Sequence, residues 1–250
     1  AAGCEPRLRQ AQLARIGVRD ALAQAVAAQQ LALHYQPQVC TETGRLLGAE
    51  ALLRWTHPAL GVVPPSTFIP IAEEGPLILE LGRWVIGEAC RQIAAWHAQG
   101  FGHMRLAVNL SVRQTREDAL PGFIDEVLRR TGVPAHCLEL EVTESVLMED
   151  ADVAVAQLAR LRARGLHLAI DDFGTGYSSM AYLNRLPIDK LKIDMAFTQA
   201  VPGDGEAIAT AIVAMAHTLG LGVCAEGVET VEQREFFRGA GCQQLQGYLI

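Results

Sequence analysis

Eight polar side chains stand at or just past the ends of short apolar runs: Glu50, Asn109, Glu141, the adjacent pair Asp171 and Asp172, Lys192, Glu226 and Gln246. Five of them are carboxylates. If the runs are strands that open on one rim, these acids crowd together and cannot all stay ionised without counter-charge. Hard divalent cations are the natural counter-charge, because they take oxygen ligands from Asp, Glu and Asn. A carboxylate such as Asp171 could then bridge two ions about 3.5–4 Å apart, the arrangement that serves phosphoryl displacement by water. Lys192 among acids is expected to pair with them or to orient a nucleophile.

The elements must bring these groups together. The segments Leu31–Val39 and Arg45–Arg54 read as strands joined only by the turn Thr41-Glu42-Thr43-Gly44. A parallel pair needs a crossover of a dozen or more residues, so this pair is expected to be antiparallel, with Gln36 almost opposite Glu50. The first twenty residues read as a linker or the tail of an upstream region, and residues 20–30 as a short alanine-rich helix. After the hairpin, helix and strand alternate. Helices are expected near 76–98, 117–131, 151–164, 178–184, 206–219 and 230–239. Each precedes a strand: Met104–Asn109, Cys137–Val142, Leu166–Asp171, Lys190–Ile193, Gly222–Glu226 and Leu245–Leu249. Eight strands in this alternation predict an α/β fold, a barrel of the (β/α)8 kind with its first strand antiparallel and its final helix missing from this chain. Neighbouring residues in a regular strand face opposite ways. Asp171 and Asp172 can therefore share a site only where the strand ends, and the turn Phe173-Gly174-Thr175-Gly176 is the expected ending.

Composition narrows the classes. Half of the 250 residues are hydrophobic and 20% are charged, which is a globular balance and neither disordered nor collagen-like. Acids outnumber bases 28 to 21, for a net charge of −7, so a duplex nucleic-acid partner is not expected. The six cysteines form no C-x-x-C pair and read as reduced core thiols. Ala207–Ala225 lacks Asp, Glu, Lys and Arg, but Gly220 and Gly222 divide it into a buried helix and a strand, so no membrane contact is expected from it. Gly220-Leu221-Gly222 imitates a dinucleotide-binding turn, but it follows a helix and opens a strand, the reverse of what that turn requires. Asp172-Phe173-Gly174 imitates a kinase triplet without the other kinase loops.

The ordered motifs resemble the EAL domain family. They are Glu50-Ala51-Leu52-Leu53-Arg54-Trp55, Asn109-Leu110-Ser111, Glu141-Val142-Thr143-Glu144-Ser145, the run from Asp171 to Ser179, Lys192-Ile193-Asp194, Ala225-Glu226-Gly227-Val228-Glu229 and Gln246-Gly247-Tyr248. The resemblance covers residues 21–250 and implies a bacterial phosphodiesterase that opens cyclic di-GMP to linear 5′-pGpG. It implies that Glu50, Asn109, Glu141 and Asp171 hold one Mg²⁺ or Mn²⁺ and that Asp171 and Asp172 hold a second. Lys192 and Glu226, with Glu50, would be catalytic, and Gln246 would anchor a metal-bound water. Gln36, Arg54 and Asp194 would contact substrate, and Glu144 would support the 172–179 loop. It further implies a homodimer, a cytoplasmic location and fusion to a sensory or cyclase domain. The alternative is a cyclic di-GMP receptor that does not cleave its ligand. Such relatives usually lack motif residues, and none is lost here. The sequence does depart at Ala72-Glu73-Glu74-Gly75-Pro76, where the family more often has Thr-Gly after the two acids.

Overall fold

The computed structural model describes residues 4–145, 151–175 and 183–250, with side chains from residue 15 and, in the second stretch, from residue 152. Strands β1 (Leu31–Cys40) and β2 (Leu46–His57) form the expected antiparallel hairpin, in which Gln36 stands directly opposite Glu50. Then β4 (Arg105–Leu110), β5 (Leu138–Thr143), β6 (His167–Phe173), β7 (Lys190–Ile193), β8 (Gly222–Ala225) and β9 (Gln244–Leu245) pair in parallel, each with the next, after β2 pairs with β4. The antiparallel pairing of β9 with β1 closes the circle. The result is an eight-stranded α/β barrel whose first strand runs against the rest.

A further strand, β3 (Gly61–Val63), pairs with the end of β2 outside the barrel. Periodicity did not reveal it, because three residues are too few for a pattern. Its turn is held by His57 Nδ1, which accepts from the backbone N–H of Ala59 and of Leu60, each at 3.2 Å.

The helices are α1 (Cys4–Ala25), α2 (Pro65–Glu73), α3 (Leu77–Ala98), α4 (Val112–Thr115), α5 (Leu120–Thr131), α6 (Ala151–Arg162), α7 (Met195–Gln199), α8 (Gly205–Thr218) and α9 (Val231–Gly239). Where a linker and a short helix at 20–30 were expected, α1 is one long helix. Its alanines, arginines, glutamines and leucines are all strong helix formers, and Pro6 falls in the first turn, where it is tolerated. The helix ends sooner than expected, and Gln29 turns the chain into β1 with φ 54°. The helix expected near 178–184 lies mostly outside the described residues. The uncharged stretch 207–225 is indeed α8 followed by β8, and no helix among the described residues is long and apolar enough to cross a membrane.

Strand alternation makes two compartments. In β5, Leu138, Leu140 and Val142 join the apolar layer between strands and helices, while Glu139 and Glu141 meet lysines of β7 across the barrel axis. Each fully buried leucine in that layer contributes roughly 1.5–3 kcal/mol. A second apolar cluster, with Leu22 and Ala25 of α1, Trp55, Val63, Phe68 and Leu81, seals the end of β2 just beyond Arg54. Trp55 is fully buried there, and its indole N–H donates to Gln30 Oε1 at 3.1 Å.

Candidate active site

Glu50 from the middle of β2, Glu141 and Asp171 from near the carboxyl ends of β5 and β6, and Glu226 from just past β8 meet at one mouth around Lys192 of β7. Its ammonium lies 3.1 Å from Glu50 Oε2, 2.8 Å from Glu141 Oε2, 3.0 Å from Asp171 Oδ1 and 2.7 Å from Glu226 Oε1. Lys192 and Glu141 are wholly inaccessible to solvent. For Lys192 burial alone would favour the neutral amine, but the charges of Glu141, Glu50, Asp171 and Glu226 outweigh it and raise its pKa well above the ordinary value.

One ammonium cannot balance the acids that surround it, and their protonation is pulled apart. Burial pushes Glu141 well above the usual carboxylate range, Glu50 and Asp171 add to the push, and Lys192 only partly offsets it. Burial also raises Glu226, to about 7, against the pull of Lys192. Burial and the charge of Asp171 raise Asp172 to about 6, with a hydrogen bond to Asp194 adding to the shift. Glu50 goes the other way: burial is outweighed by Lys192 and by hydrogen bonds from Gln246 and Asn109. Environments that separate neighbouring carboxyls in this way are common at functional sites.

Asp171 and Asp172 meet in one site by a route that the sequence reading did not foresee. The strand ends at the expected turn, with Phe173 its last residue, but its end does not by itself bring the pair together. Instead Asp172 adopts φ 52°, and the β6–β7 register is irregular between Ile170 and Phe173. A non-glycine residue in the left-handed region costs roughly 1–2 kcal/mol, and Asp tolerates it better than most. The kink turns both carboxylates to the same mouth, and the Asp172 N–H donates to Asp171 Oδ1 at 3.0 Å.

Two groups of acids offer ligand atoms within 4.8 Å of one another: Glu50, Glu141 and Asp171, and Asp171, Asp172 and Glu226. Asp171 belongs to both. Glu141 Oε1 is buried without a hydrogen-bond partner among the described residues, as an oxygen kept for a cation would be. An all-oxygen donor set with excess negative charge fits Mg²⁺ or Mn²⁺. Asn109 lies beside it, with Nδ2 donating to Glu50 Oε1 at 2.7 Å. Gln246 Nε2 donates to Glu50 Oε2 at 2.7 Å and to Gln36 Oε1 at 3.1 Å.

The remaining expected residues surround this centre. Arg54 and Asn109 line a cleft of about 860 Å³ with Thr143, Ser145, Arg113 and Arg116, within the size range of small-molecule sites. Asp194 caps α7, accepting from the Ala196 N–H at 2.7 Å, next to Asp172. Glu144 Oε2 accepts from the Gly174 N–H at 3.3 Å, which ties it to the start of the 172–179 loop. The rest of that loop, residues 176–179, lies outside the described residues.

The sequence reading missed the layer directly beneath. Lys190, Glu139, Gln38 and Gln244 fill the barrel axis one step below the mouth. Lys190 ion-pairs with Glu139, and Arg105 reaches Glu139 at 3.4 Å. Lys190 stays charged because Glu139 outweighs its burial penalty, and Glu139 is held below the usual range by the same pairing. The signal was present as period-two repeats: Gln36/Gln38, Glu139/Glu141, Lys190/Lys192 and Gln244/Gln246 each put two polar residues on one strand face.

Comparison with known proteins identifies the family and the fold. The EAL domain model matches residues 19–250, and the chain belongs to that family. Among curated relatives, it is 48% identical over 235 residues to the bifunctional diguanylate cyclase/cyclic di-GMP phosphodiesterase MucR of Pseudomonas aeruginosa, which covers 92% of this chain and 34% of MucR. It is 44% identical over 235 residues to the cyclic di-GMP phosphodiesterase NbdA of the same organism, covering 93% of this chain and 30% of NbdA. The chain thus spans about a third of the length of these relatives. The solved c-di-GMP complex of PaMucR phosphodiesterase superposes with a TM-score of 0.89 at 46% identity, covering 93% of this chain and 95% of that one.

Proposed function

We propose that this chain is a metal-dependent phosphodiesterase that hydrolyses cyclic di-GMP to linear 5′-pGpG. The observation that carries the proposal is the single mouth where Glu50, Glu141, Asp171, Asp172 and Glu226 converge on Lys192 in a member of the EAL domain family. Family relatives named as cyclic di-GMP phosphodiesterases support the substrate.

Glu50, Asn109, Glu141 and Asp171 would hold one Mg²⁺ or Mn²⁺, and Asp171 with Asp172 a second. Asn109 would turn its amide so that Oδ1 faces the ion. When bound, the two ions supply an activated water and neutralise charge on the phosphodiester. The chain's own residues do the rest. Lys192 keeps a fixed positive charge where the water and the phosphate meet, and its N–H groups orient the water. Glu226, in contact with Lys192, takes the water's proton. Arg54 presents a planar fork to a phosphate oxygen from the wall of the cleft. Gln36 and Asp194 make polar contacts to the ligand, and Gln246 would help to hold a water beside Glu50 once the ion is bound. Glu144 steadies the loop that follows Asp172.

The chain acts, in this reading, as a cytoplasmic portion of a longer bacterial signalling protein. The greater length of its relatives supports an upstream sensory or cyclase domain. It works as a homodimer and does not bind duplex nucleic acid. The test is turnover by the purified chain with Mg²⁺, Mn²⁺ or Ca²⁺, read by chromatography of the guanine products. Linear pGpG is expected with Mg²⁺ and Mn²⁺, little with Ca²⁺, and a loss of at least about 100-fold in Glu50→Ala. Tight binding without cleavage at saturating metal would instead make the chain a receptor.

A further inference from the structure

A chain of hydrogen bonds with one polarity runs up the barrel axis from the lower layer to the mouth. Lys190 Nζ donates to Gln38 Oε1 at 3.5 Å, and Gln38 Nε2 donates to Gln246 Oε1 at 2.9 Å. Gln246 Nε2 then donates to Glu50 Oε2 at 2.7 Å and to Gln36 Oε1 at 3.1 Å. Lys190, Gln38, Gln246 and Glu50 are all 3–4% exposed, so water cannot replace a lost partner at little cost.

The two ends of this chain are chemically one-way. An ammonium only donates, and an ionised carboxylate only accepts. A glutamine between them can be placed either way round, and its neighbours decide. Turning Gln38 over would set its NH₂ against Lys190 and its oxygen against Gln246 Oε1. Turning Gln246 over would set its oxygen against Glu50. The first contact is long, but both ends impose the same direction.

We propose that Gln38 is a positioning residue for the metal-binding mouth. Held by Lys190, it turns Gln246 so that the NH₂ group faces Glu50 and Gln36. Glu50 Oε2 is thereby held in place. The oxygen of Gln36 is committed within the barrel, which leaves the Gln36 NH₂ as the group it can offer a ligand. This deepens the reading above and rests on it only for the identity of the ion that Glu50 helps to hold.

Two substitutions separate polarity from packing. Gln38→Glu keeps the size and still accepts from Lys190, but it cannot donate to Gln246. Gln38→Met keeps the volume and does neither. The readouts are Mn²⁺ affinity by calorimetry of the metal with the chain alone, and solvent exchange of the Gln246 side-chain NH₂ by ¹⁵N NMR, its signal assigned by its loss in Gln246→Glu. In the unsubstituted chain that NH₂ should exchange slowly. Both Gln38 variants should weaken Mn²⁺ binding by about 10-fold, the usual cost of losing a partner that orients a ligand. Gln38→Glu should also shift the ¹⁵N and ¹H resonances of the Gln246 NH₂, as the amide turns toward the new carboxylate, while keeping the circular dichroism of the barrel. Folded variants that bind Mn²⁺ within about two-fold of the unsubstituted chain would overturn the proposal, using the same scale. So would fast exchange of the Gln246 NH₂ in the unsubstituted chain, which decides the matter even if neither variant folds. Neither readout uses the dinucleotide, so a chain that fails to hydrolyse it leaves this test intact.

Discussion

At the scale of single residues, Lys192 is the only ammonium in direct contact with Glu50, Glu141, Asp171 and Glu226 among the described residues. Breaking a buried ion pair by removing one partner costs about 3–5 kcal/mol, because the other charge is left uncompensated. Here four carboxylates lose their partner together. Lys192→Met should therefore lower the stability of the metal-free chain by at least that amount, read by urea unfolding. A divalent cation can replace the lost charge, so Mn²⁺ should raise the melting temperature of Lys192→Met more than that of the unsubstituted chain. Equal stability without metal would show that the acids surrender their charge by protonation alone. Asp172 makes a different point at the same scale. Its left-handed backbone is tolerated because a short polar side chain can occupy it, and that conformation carries its carboxylate to the side of Asp171.

At the scale of elements, the site depends on how closely β2 approaches β4. Gly48 pairs with Arg105, and a Cβ built on Gly48 would lie 2.2 Å from the Arg105 carbonyl oxygen. That neighbour is backbone and cannot swing aside. Gly48→Ala should push the strands apart, with an overpacking cost of about 1–3 kcal/mol. Glu50 lies two residues along the same strand face, so Mn²⁺ affinity should fall in the same variant. Unchanged urea unfolding would show that the two strands adapt without strain. The sequence made the hairpin legible through the shortness of its turn, and the Gln36–Glu50 register followed from that turn. The converging acids were legible through their recurrence at strand ends. The kink at Asp172 was not, because a conformation imposed by neighbouring strands leaves no mark in a pattern of residue types. Strand β3 and helix α4 were too short for any period to register, although Ser111 and Gln114 form a capping box that a search for caps would have found.

At the scale of the whole molecule, the barrel is closed unevenly. The β4–β5 and β5–β6 pairs run along five positions each, whereas β9 meets β1 and β8 along two each. Local opening follows the weakest pairing, so the seam at β9 should open well before the barrel as a whole. Two thiols can report this. Cys242, just before β9, and Cys90, in α3, are both buried, and burial pushes each to about 12, so neither reacts without an opening event. In native conditions a thiol-alkylating reagent should therefore modify Cys242 faster than Cys90, with each site quantified by mass spectrometry after quenching. Equal rates would mean that both thiols wait for one global unfolding. The seam also carries Gln246, which donates to Glu50 and Gln36 across the closure. An ion bound at the mouth engages Glu50 and so favours the closed seam by linkage. Mn²⁺ should accordingly slow the modification of Cys242 and leave the smaller rate at Cys90 less affected, so that the ligand-binding end of the molecule is also the end whose opening the ligand controls.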